Sequence, residues 1–225
     1  HVDPTKPVGK IGISAGPSSG GVDSWHAIIR GNGGHGAHPN TTIDPFYLMA
    51  HVIIALNAMI SRRINPFEPA VVSIGSINGG FADNVIPEEV KISGTLRFTN
   101  EAVHQQIHTE IKRALEIVKV LGGDYELKYD IGGPPMINDK YVSDMIEKTG
   151  KDLLGADHVS EIEKTLGAED FGEFMKHAPG AMFTLGTQKA GHEEYLLHHP
   201  KFDLDERALP IGTAMLAETA KRFLE

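Results

Sequence analysis

The stretch from Glu89 to Leu121, EVKISGTLRFTNEAVHQQIHTEIKRALEIVKVL, carries two different hydrophobic periods one after the other. From Glu89 to Phe98 apolar and polar residues alternate, which is typical of a strand with one buried face. From Glu101 onward apolar residues recur every three or four positions, and Gly122-Gly123 follows as a stop signal, which indicates an amphipathic helix. The stretch therefore predicts a strand followed by a helix.

The same alternation of strand and helix continues on both sides of this stretch. The sequence predicts a strand over Trp25–Arg30, a helix over Phe46–Ile64, a strand over Ala70–Ile77 and a last strand over Tyr125–Ile131. Residues 23–133 therefore read strand, helix, strand, strand, helix, strand. This order predicts a ferredoxin-like α+β domain, in which two helices cover one face of a four-stranded antiparallel sheet.

The flanking residues, 1–22 and 134–225, have a different pattern. Residues 1–10 look irregular. The segment 134–225 predicts a helix over Lys140–Leu154, a strand near Met182–Leu185 and a final helix over Leu209–Leu224. These are parts of an α/β layer, too few to close a sheet alone. We therefore expect one α/β domain, made of both flanks, into which the ferredoxin-like domain is inserted.

Composition excludes several classes of protein. The formal charge of −9, without any cluster of Lys or Arg, argues against binding to nucleic acid. The chain has no cysteine, so it has neither disulfides nor thiolate catalysis, and a cytoplasmic location is favoured. The longest apolar stretch, Leu48–Ile60, is too short and too polar to predict a membrane span.

Two histidine-containing loops could carry chemistry. The glycine-rich bend RGNGGHGAHP, residues 30–39, could present the His35 imidazole to a ligand, or it could be a surface turn with incidental histidines. The loop HHPKFDLDE, residues 198–206, could supply a metal ligand, even a lone zinc site using His198 and His199. Its alternative is a polar loop in which Asp205 or Glu206 supports the start of the last helix.

Each of four further polar residues has two possible interpretations, one functional and one structural. The Arg97 guanidinium would suit a carboxylate-bearing substrate, although an exposed strand arginine is more common. Asn84 could bind a ligand or cap a turn. Glu169 and Asp170 could orient a substrate or form the capped start of a short helix.

His104 and His108 lie one helical turn apart, as in zinc-binding helices. The residues between them are Gln-Gln-Ile, without the glutamate that the metalloprotease motif requires. They flank the apolar stripe of the predicted helix on its polar side. We therefore predict that both are surface histidines.

Six short motifs in this order resemble the M20 metallopeptidases. The similarity is strongest to the amidohydrolase branch, which includes hippurate hydrolases, auxin-conjugate hydrolases and archaeal carboxypeptidases. The resemblance implies part of a catalytic α/β domain that holds two divalent metal ions, zinc or else manganese or cobalt, and an inserted lid domain that forms a homodimer. The motifs are HVDP (1–4), GGHGAHP (33–39), NVIP (84–87), GTLR (94–97), GAEDF (167–171) and HHPKFDLDE (198–206).

The resemblance also implies a role for each candidate residue. His1 and His198, or the histidine that follows His198, are expected to bind metal. His35 is expected to reach into the active site of a partner subunit and polarise the scissile carbonyl. Asn84 and Arg97 are expected to hold the carboxylate end of the substrate.

The activity that the resemblance implies is hydrolysis of N-acyl amino acids or of C-terminal peptide bonds. None of the motifs that carry the resemblance corresponds to the family's His-x-Cys-Gly-His-Asp motif or to its catalytic Glu-Glu pair, which supply further ligands and the general base. Because the chain also opens on His1 rather than Met, we expect it to be the C-terminal portion of an enzyme and inactive alone. The alternative is a non-catalytic dimerisation module.

Overall fold

The computed structural model describes residues 1–191 and 195–225, and the chain divides into two compact units. The inserted unit comprises residues 19–135 and 166–169, and the flanking unit comprises residues 1–18, 136–165 and 170–225. The strands are β1 (Val2–Pro7), β2 (Ile11–Gly12), β3 (Gly16–Ser19), β4 (Gly21–Arg30), β5 (Gly34–His35), β6 (Val71–Gly79), β7 (Val85–Ile86), β8 (Glu89–Phe98), β9 (Asp124–Ile131), β10 (Met136–Asn138), β11 (Val159–Ser160) and β12 (Thr184–Gln188). The helices are α1 (Pro45–Arg63), α2 (Glu101–Val120), α3 (Lys140–Leu154), α4 (Phe171–Met175) and α5 (Ala208–Leu224).

The inserted unit contains a four-stranded antiparallel sheet in the order β6-β8-β4-β9. Alternate residues of β4, namely Trp25, Ala27 and Ile29, are buried, and they share one core with apolar residues of both α1 and α2. Both helices therefore cover the same face of the sheet. The ferredoxin-like arrangement predicted from the sequence is confirmed.

The two helices of the inserted unit begin at side-chain caps. The Asp44 carboxylate accepts a hydrogen bond from the backbone nitrogen of Phe46 (2.8 Å), and Asn100 accepts one from that of Val103 (2.9 Å). By length and composition α1 is apolar enough to cross a membrane, but it buries one side, including Leu48 and Leu56, in the core of the inserted unit. Burial of this side in the core explains the apolar composition of α1, which is an amphipathic core helix.

The flanking unit has a mixed sheet in the order β1-β12-β2-β11. Strands β1 and β12 are parallel, β2 and β12 are antiparallel, and α3 and α5 contribute Ile146 and Met215 to the core beside the sheet. The prediction that residues 1–10 are irregular is wrong, because Val2–Pro7 forms an edge strand. Pro4 and Pro7 weaken the strand signal, yet an edge strand tolerates proline, and its partner β12 lies far along the chain.

Tyr125 connects β9 to α2 through a hydrogen bond that its hydroxyl donates to the Glu116 carboxylate (2.7 Å). Burial, and then this hydrogen bond, raise the pKa of the Tyr125 hydroxyl to about 12. In the unfolded chain the hydroxyl ionises near pH 10. Folding therefore holds the proton more tightly, and the stabilisation from Tyr125 is complete below about pH 10 and is lost as the pH rises toward about 12.

We expect the difference in free energy of unfolding between the wild type and Tyr125→Phe to shrink between about pH 10 and pH 12. Urea titrations followed by the fluorescence of Trp25, the single tryptophan of the chain, measure this difference within the inserted unit. Tyr47→Phe is the control, because the Tyr47 side chain is 55% exposed. An unchanged difference across this range would contradict the expectation.

Candidate functional site

The glycine-rich bend brings His35 and Asn84 together. Strand β5 pairs antiparallel with β7, with His35 opposite Val85, and the backbone nitrogen of Gly36 donates to the Asn84 carbonyl oxygen (2.8 Å). A Cβ on Gly36 would lie 3.0 Å from that oxygen, and Gly33 has a φ of +53°. The glycines therefore allow the close approach that places these two residues side by side.

The His35 ring is exposed and has a defined donor nitrogen. The backbone nitrogen of Ala37 donates a hydrogen bond to His35 Nδ1 (3.0 Å), so in the neutral ring the proton is assigned to Nε2. The ring of His38 lies nearby, with 5.4 Å between the two centroids. His35 can thus offer an Nε2–H group to an acceptor in solution.

Arg97 lies at the other end of the sheet. Glu89, where β8 begins, is opposite Arg30, whereas Arg97 near the end of β8 is opposite Val22. At about 3.3 Å per residue, the eight steps from Glu89 to Arg97 correspond to about 26 Å. The structure therefore does not bring Arg97 to His35 and Asn84 within one chain.

The Arg97 guanidinium is available to a ligand. The residue is half-buried and lies on the sheet face opposite the helices, since its neighbours Leu96 and Phe98 point into the core. Within residues 1–191 and 195–225 it forms no ion pair. A guanidinium without a competing carboxylate suits a carboxylate-bearing ligand.

His1 and His198 both belong to the flanking unit. The His1 carbonyl accepts from the backbone nitrogen of Leu185 (2.8 Å), which places His1 beside the start of β12. His198 lies in the loop between β12 and α5 with a φ of +69°, and in the described part of the chain it is the only non-glycine residue with a positive φ. Such backbone strain is concentrated at functional sites. Among the described residues neither histidine joins a group of three or more side chains with metal-binding spacing.

His199 differs from His198 because its ring already has structural partners. Its Nδ1 accepts a hydrogen bond from the backbone nitrogen of Lys201 (3.1 Å), and its ring stacks on Tyr195 with 4.5 Å between centroids. No hydrogen bond of the His198 ring is present among the described residues. This contrast favours His198 as the side chain free to bind a ligand.

The carboxylates near these loops have mainly structural partners. Asp205 accepts from the backbone nitrogen of Arg207 (3.0 Å), and the Arg207 guanidinium is the main reason why the pKa of Asp205 falls to about 2. Asp205 therefore supports the start of α5. Asp170 precedes α4, but it does not cap the helix, because its own φ and ψ of −78° and −15° are already helical.

The prediction that His104 and His108 are surface histidines is wrong. His104 is only 8% exposed, and both Nε2 atoms face the carboxylate of Asp23, which is 1% exposed. Burial opposes ionisation of Asp23, but hydrogen bonds from His104, Gly132 and His108 outweigh it and hold the pKa of the carboxyl below its usual value. Sequence reasoning missed this cluster.

A signal for the cluster was nevertheless present. His104 and His108 continue at helical spacing into Ile111 and Leu115, and Asp23 precedes Trp25 in the alternation of β4. All three side chains therefore lie on the core-facing sides of their elements.

Comparison with known proteins places this fold in a class of enzymes. A family model described as "Peptidase dimerisation domain" matches residues 18–121. Thermostable carboxypeptidase 1 of Saccharolobus solfataricus is 34% identical, with 99% of this chain and 57% of the relative covered. An N-acetyl-L-cysteine deacetylase of Bacillus subtilis is 32% identical, with 100% of this chain and 53% of the relative covered.

The solved structures agree with the sequence relatives. A dinuclear metal-binding peptidase of the M20 family from Bacillus subtilis superimposes with a TM-score of 0.79 at 29% identity, covering 98% of this chain and 55% of that one. The chain thus spans a little over half the length of the proteins it matches. It belongs to the M20 family of peptidases and amidohydrolases.

Proposed function

We propose that this chain is part of a cytoplasmic, metal-dependent M20 amidohydrolase that cleaves N-acyl amino acids or C-terminal peptide bonds. The relatives include a deacetylase and a carboxypeptidase, which both hydrolyse amide bonds. The observation that carries the proposal is that the inserted unit presents two complementary groups: an exposed imidazole donor at His35, and at Arg97 a guanidinium without an ion pair among the described residues. A carboxylate-bearing amide presents a matching acceptor for each.

His1 and His198 are the residues of this chain that would hold metal. Two imidazoles, one of them on a strained backbone, are suitable ligands for zinc, manganese or cobalt. Bound divalent ions supply Lewis acidity and activate water. Two ions need more donors than these two rings, and we expect the chain alone to be inactive for that reason.

The remaining residues bind and polarise the substrate. As the amide is attacked, negative charge develops on its carbonyl oxygen, and the His35 Nε2–H group is placed to donate a hydrogen bond to that oxygen. The Arg97 guanidinium pairs with the free carboxylate, and the Asn84 amide supplies a further polar contact beside His35. None of these steps requires His35 to become protonated.

One substrate can meet all three residues only if two subunits contribute them. Within one chain, about 26 Å of β8 separate Arg97 from Glu89, at whose end of the sheet the bend with His35 and Asn84 begins. This separation is far larger than an N-acyl amino acid. We therefore assign Arg97 to one subunit and His35 with Asn84 to the other subunit at each active site.

The edge strand β6 offers a surface through which the homodimer could form. Its sequence, VVSIGSING, contains no charged residue, and within residues 1–191 and 195–225 its outer edge has no partner strand. The opposite edge strand, β9, carries four charged residues in DYELKYDI, which discourages pairing with another strand. We propose that β6 pairs with β6 of a second copy.

Mixing two inactive variants tests this two-subunit assignment. We expect His35→Ala and Arg97→Ala homodimers of the whole protein each to hydrolyse an N-acyl amino acid poorly. After random exchange of subunits in an equal mixture, half of the dimers are heterodimers, and each has one site with both residues intact. The mixture should therefore recover about one quarter of the wild-type activity.

The control is a mixture of the double variant His35→Ala/Arg97→Ala with each single variant, in which no site regains both residues. No recovery in the first mixture, despite exchange shown by mass spectrometry, would contradict the two-subunit site. A wild-type protein that dimerises but hydrolyses no N-acyl amino acid or peptide would instead favour a non-catalytic dimerisation module.

A further inference from the structure

Three potential metal ligands meet inside the inserted unit, at Asp23 near the start of β4 and at His104 and His108 on successive turns of α2. The Nε2 atoms of His104 and His108 lie 2.5 Å and 2.8 Å from the same oxygen, Oδ2 of Asp23. The three ligand atoms lie within 4.8 Å of one another, and among the described residues no other group of three or more side chains has such spacing. The cluster includes none of the residues assigned above to the metals or to the substrate.

Neighbouring aromatic rings hold both imidazoles in place. His104 stacks on Phe98 with 4.0 Å between centroids and 9° between planes, and His108 stacks on Tyr129 with 3.9 Å and 4°. The Tyr129 hydroxyl also donates to the His108 carbonyl oxygen (3.1 Å). The two Nε2 atoms are therefore aimed at one point, as a metal requires, whereas two hydrogen bonds could equally use separate oxygens.

A second set of contacts supports the ligands from behind. Nδ1 of His104 lies 3.3 Å from the Glu101 carboxylate, and the other oxygen of Asp23 accepts from the backbone nitrogen of Gly132 (3.0 Å). A carboxylate that accepts the Nδ1–H of a histidine leaves Nε2 as the ligand atom and increases its basicity, an arrangement typical of zinc-binding histidines.

We propose that Asp23, His104 and His108 together bind one divalent transition-metal ion, for which zinc is the best match. Two imidazole nitrogens and one carboxylate oxygen are a common set of three protein ligands for zinc, with water as the fourth. The His108 side chain is 18% exposed, so the cluster is open to solvent on that side. The ion would link the start of β4 to α2 and stabilise the inserted unit.

Binding requires only small movements of the three side chains. Zinc bonds of about 2.0–2.2 Å in tetrahedral geometry place ligand atoms about 3.3 Å apart. The nitrogen and oxygen atoms must therefore separate from their present hydrogen-bond distances by less than about 1 Å. Each neutral imidazole would carry its proton on Nδ1 instead of Nε2, and on His104 that proton points to Glu101.

Metal content and thermal stability together test the proposal. The chelator-treated chain is dialysed against zinc, and its bound metal and its melting temperature, followed by Trp25 fluorescence, are compared with those of His108→Gln and His26→Gln. We expect His108→Gln to lose about one equivalent of zinc and a zinc-dependent rise in Tm of about 5 °C or more. His26→Gln should keep both, because the His26 side chain is 52% exposed and lies outside the cluster. Equal zinc content and equal Tm shifts in the wild type and His108→Gln would overturn the proposal.

A measurement on the wild-type chain avoids any failure of the variant to fold. Nitrogen-15 NMR of the histidine rings distinguishes Nδ1 from Nε2 and detects the proton or metal on each. Addition of zinc should shift the Nε2 resonances of His104 and His108 and leave their Nδ1 atoms protonated. Two rings that keep their protons on Nε2 in excess zinc would show a hydrogen-bonded cluster without metal, and this result would also overturn the proposal.

Discussion

With His35 replaced by alanine in the whole protein, we expect kcat for an N-acyl amino acid to fall by about 10²–10³-fold, with a much smaller change in KM. The substitution removes the Nε2–H donor that the Ala37 hydrogen bond orients outward. Charge on the carbonyl oxygen develops only in the transition state, so the loss should appear mainly in kcat. Steady-state kinetics on one substrate, with the dimer confirmed by sedimentation, measure both constants.

His38→Ala is the matched control for this substitution. His38 shares the bend, and its ring centroid lies 5.4 Å from that of His35, so the two variants disturb the same loop to a similar degree. We expect His38→Ala to keep a kcat close to wild type, and His35→Gln, which retains an N–H donor, to recover part of the loss. If His35→Ala turned over the substrate at the wild-type rate, the role assigned to His35 would have to be abandoned.

The second large effect is expected at Gly94, in the middle of β8, where alanine should lower the free energy of unfolding of the inserted unit by about 3 kcal/mol. A Cβ at this position would overlap the Ser73 carbonyl oxygen of β6 and would lie 2.9 Å from the ring of Trp25. Trp25 is fully buried, and the Ser73 backbone belongs to the neighbouring strand, so neither can move without disturbing the sheet.

Gly75→Ala provides a control in the same pair of strands. Gly75 lies at the register shift of β6 between Ile74 and Ser76, and the nearest atom to its added Cβ is 3.9 Å away. Urea unfolding followed by Trp25 fluorescence should show a large loss for Gly94→Ala and little change for Gly75→Ala. Similar stabilities for the two variants would contradict the steric explanation, which also accounts for the glycine in the GTLR motif without invoking substrate.

The elements of the inserted unit could be predicted from sequence because their signals are local. The alternation in Glu89–Phe98 and the helical stripe in Glu101–Val120 correspond closely to β8 and α2. The strand β1 could not be predicted in this way. Val2–Pro7 contains two prolines, and it becomes a strand through pairing with β12, which no local pattern in the first residues reveals.

The contacts within the candidate sites could not be predicted from local sequence patterns, because they join residues that are far apart in the chain. The approach of Asn84 to His35 depends on the pairing of β5 with β7, and the distance of Arg97 from both follows from the register of β8 against β4. The burial of His104 required recognition of Asp23 as its partner from a strand far earlier in the chain. The hydrophobic pattern of one helix or strand predicts which face of that element a residue occupies. It does not identify the side chain of another element that contacts the residue.

The charge-free outer edge of β6 makes newly synthesised chains prone to aggregation. A newly synthesised chain that has not yet paired exposes the outward-pointing backbone donors and acceptors of a nine-residue edge strand, which carries no charged side chain to deter other strands. Under the β6–β6 pairing proposed above, association with a second copy and aggregation with unrelated strands compete for the same edge. Slow synthesis or low abundance would then reduce the yield of the dimer even when every chain folds correctly.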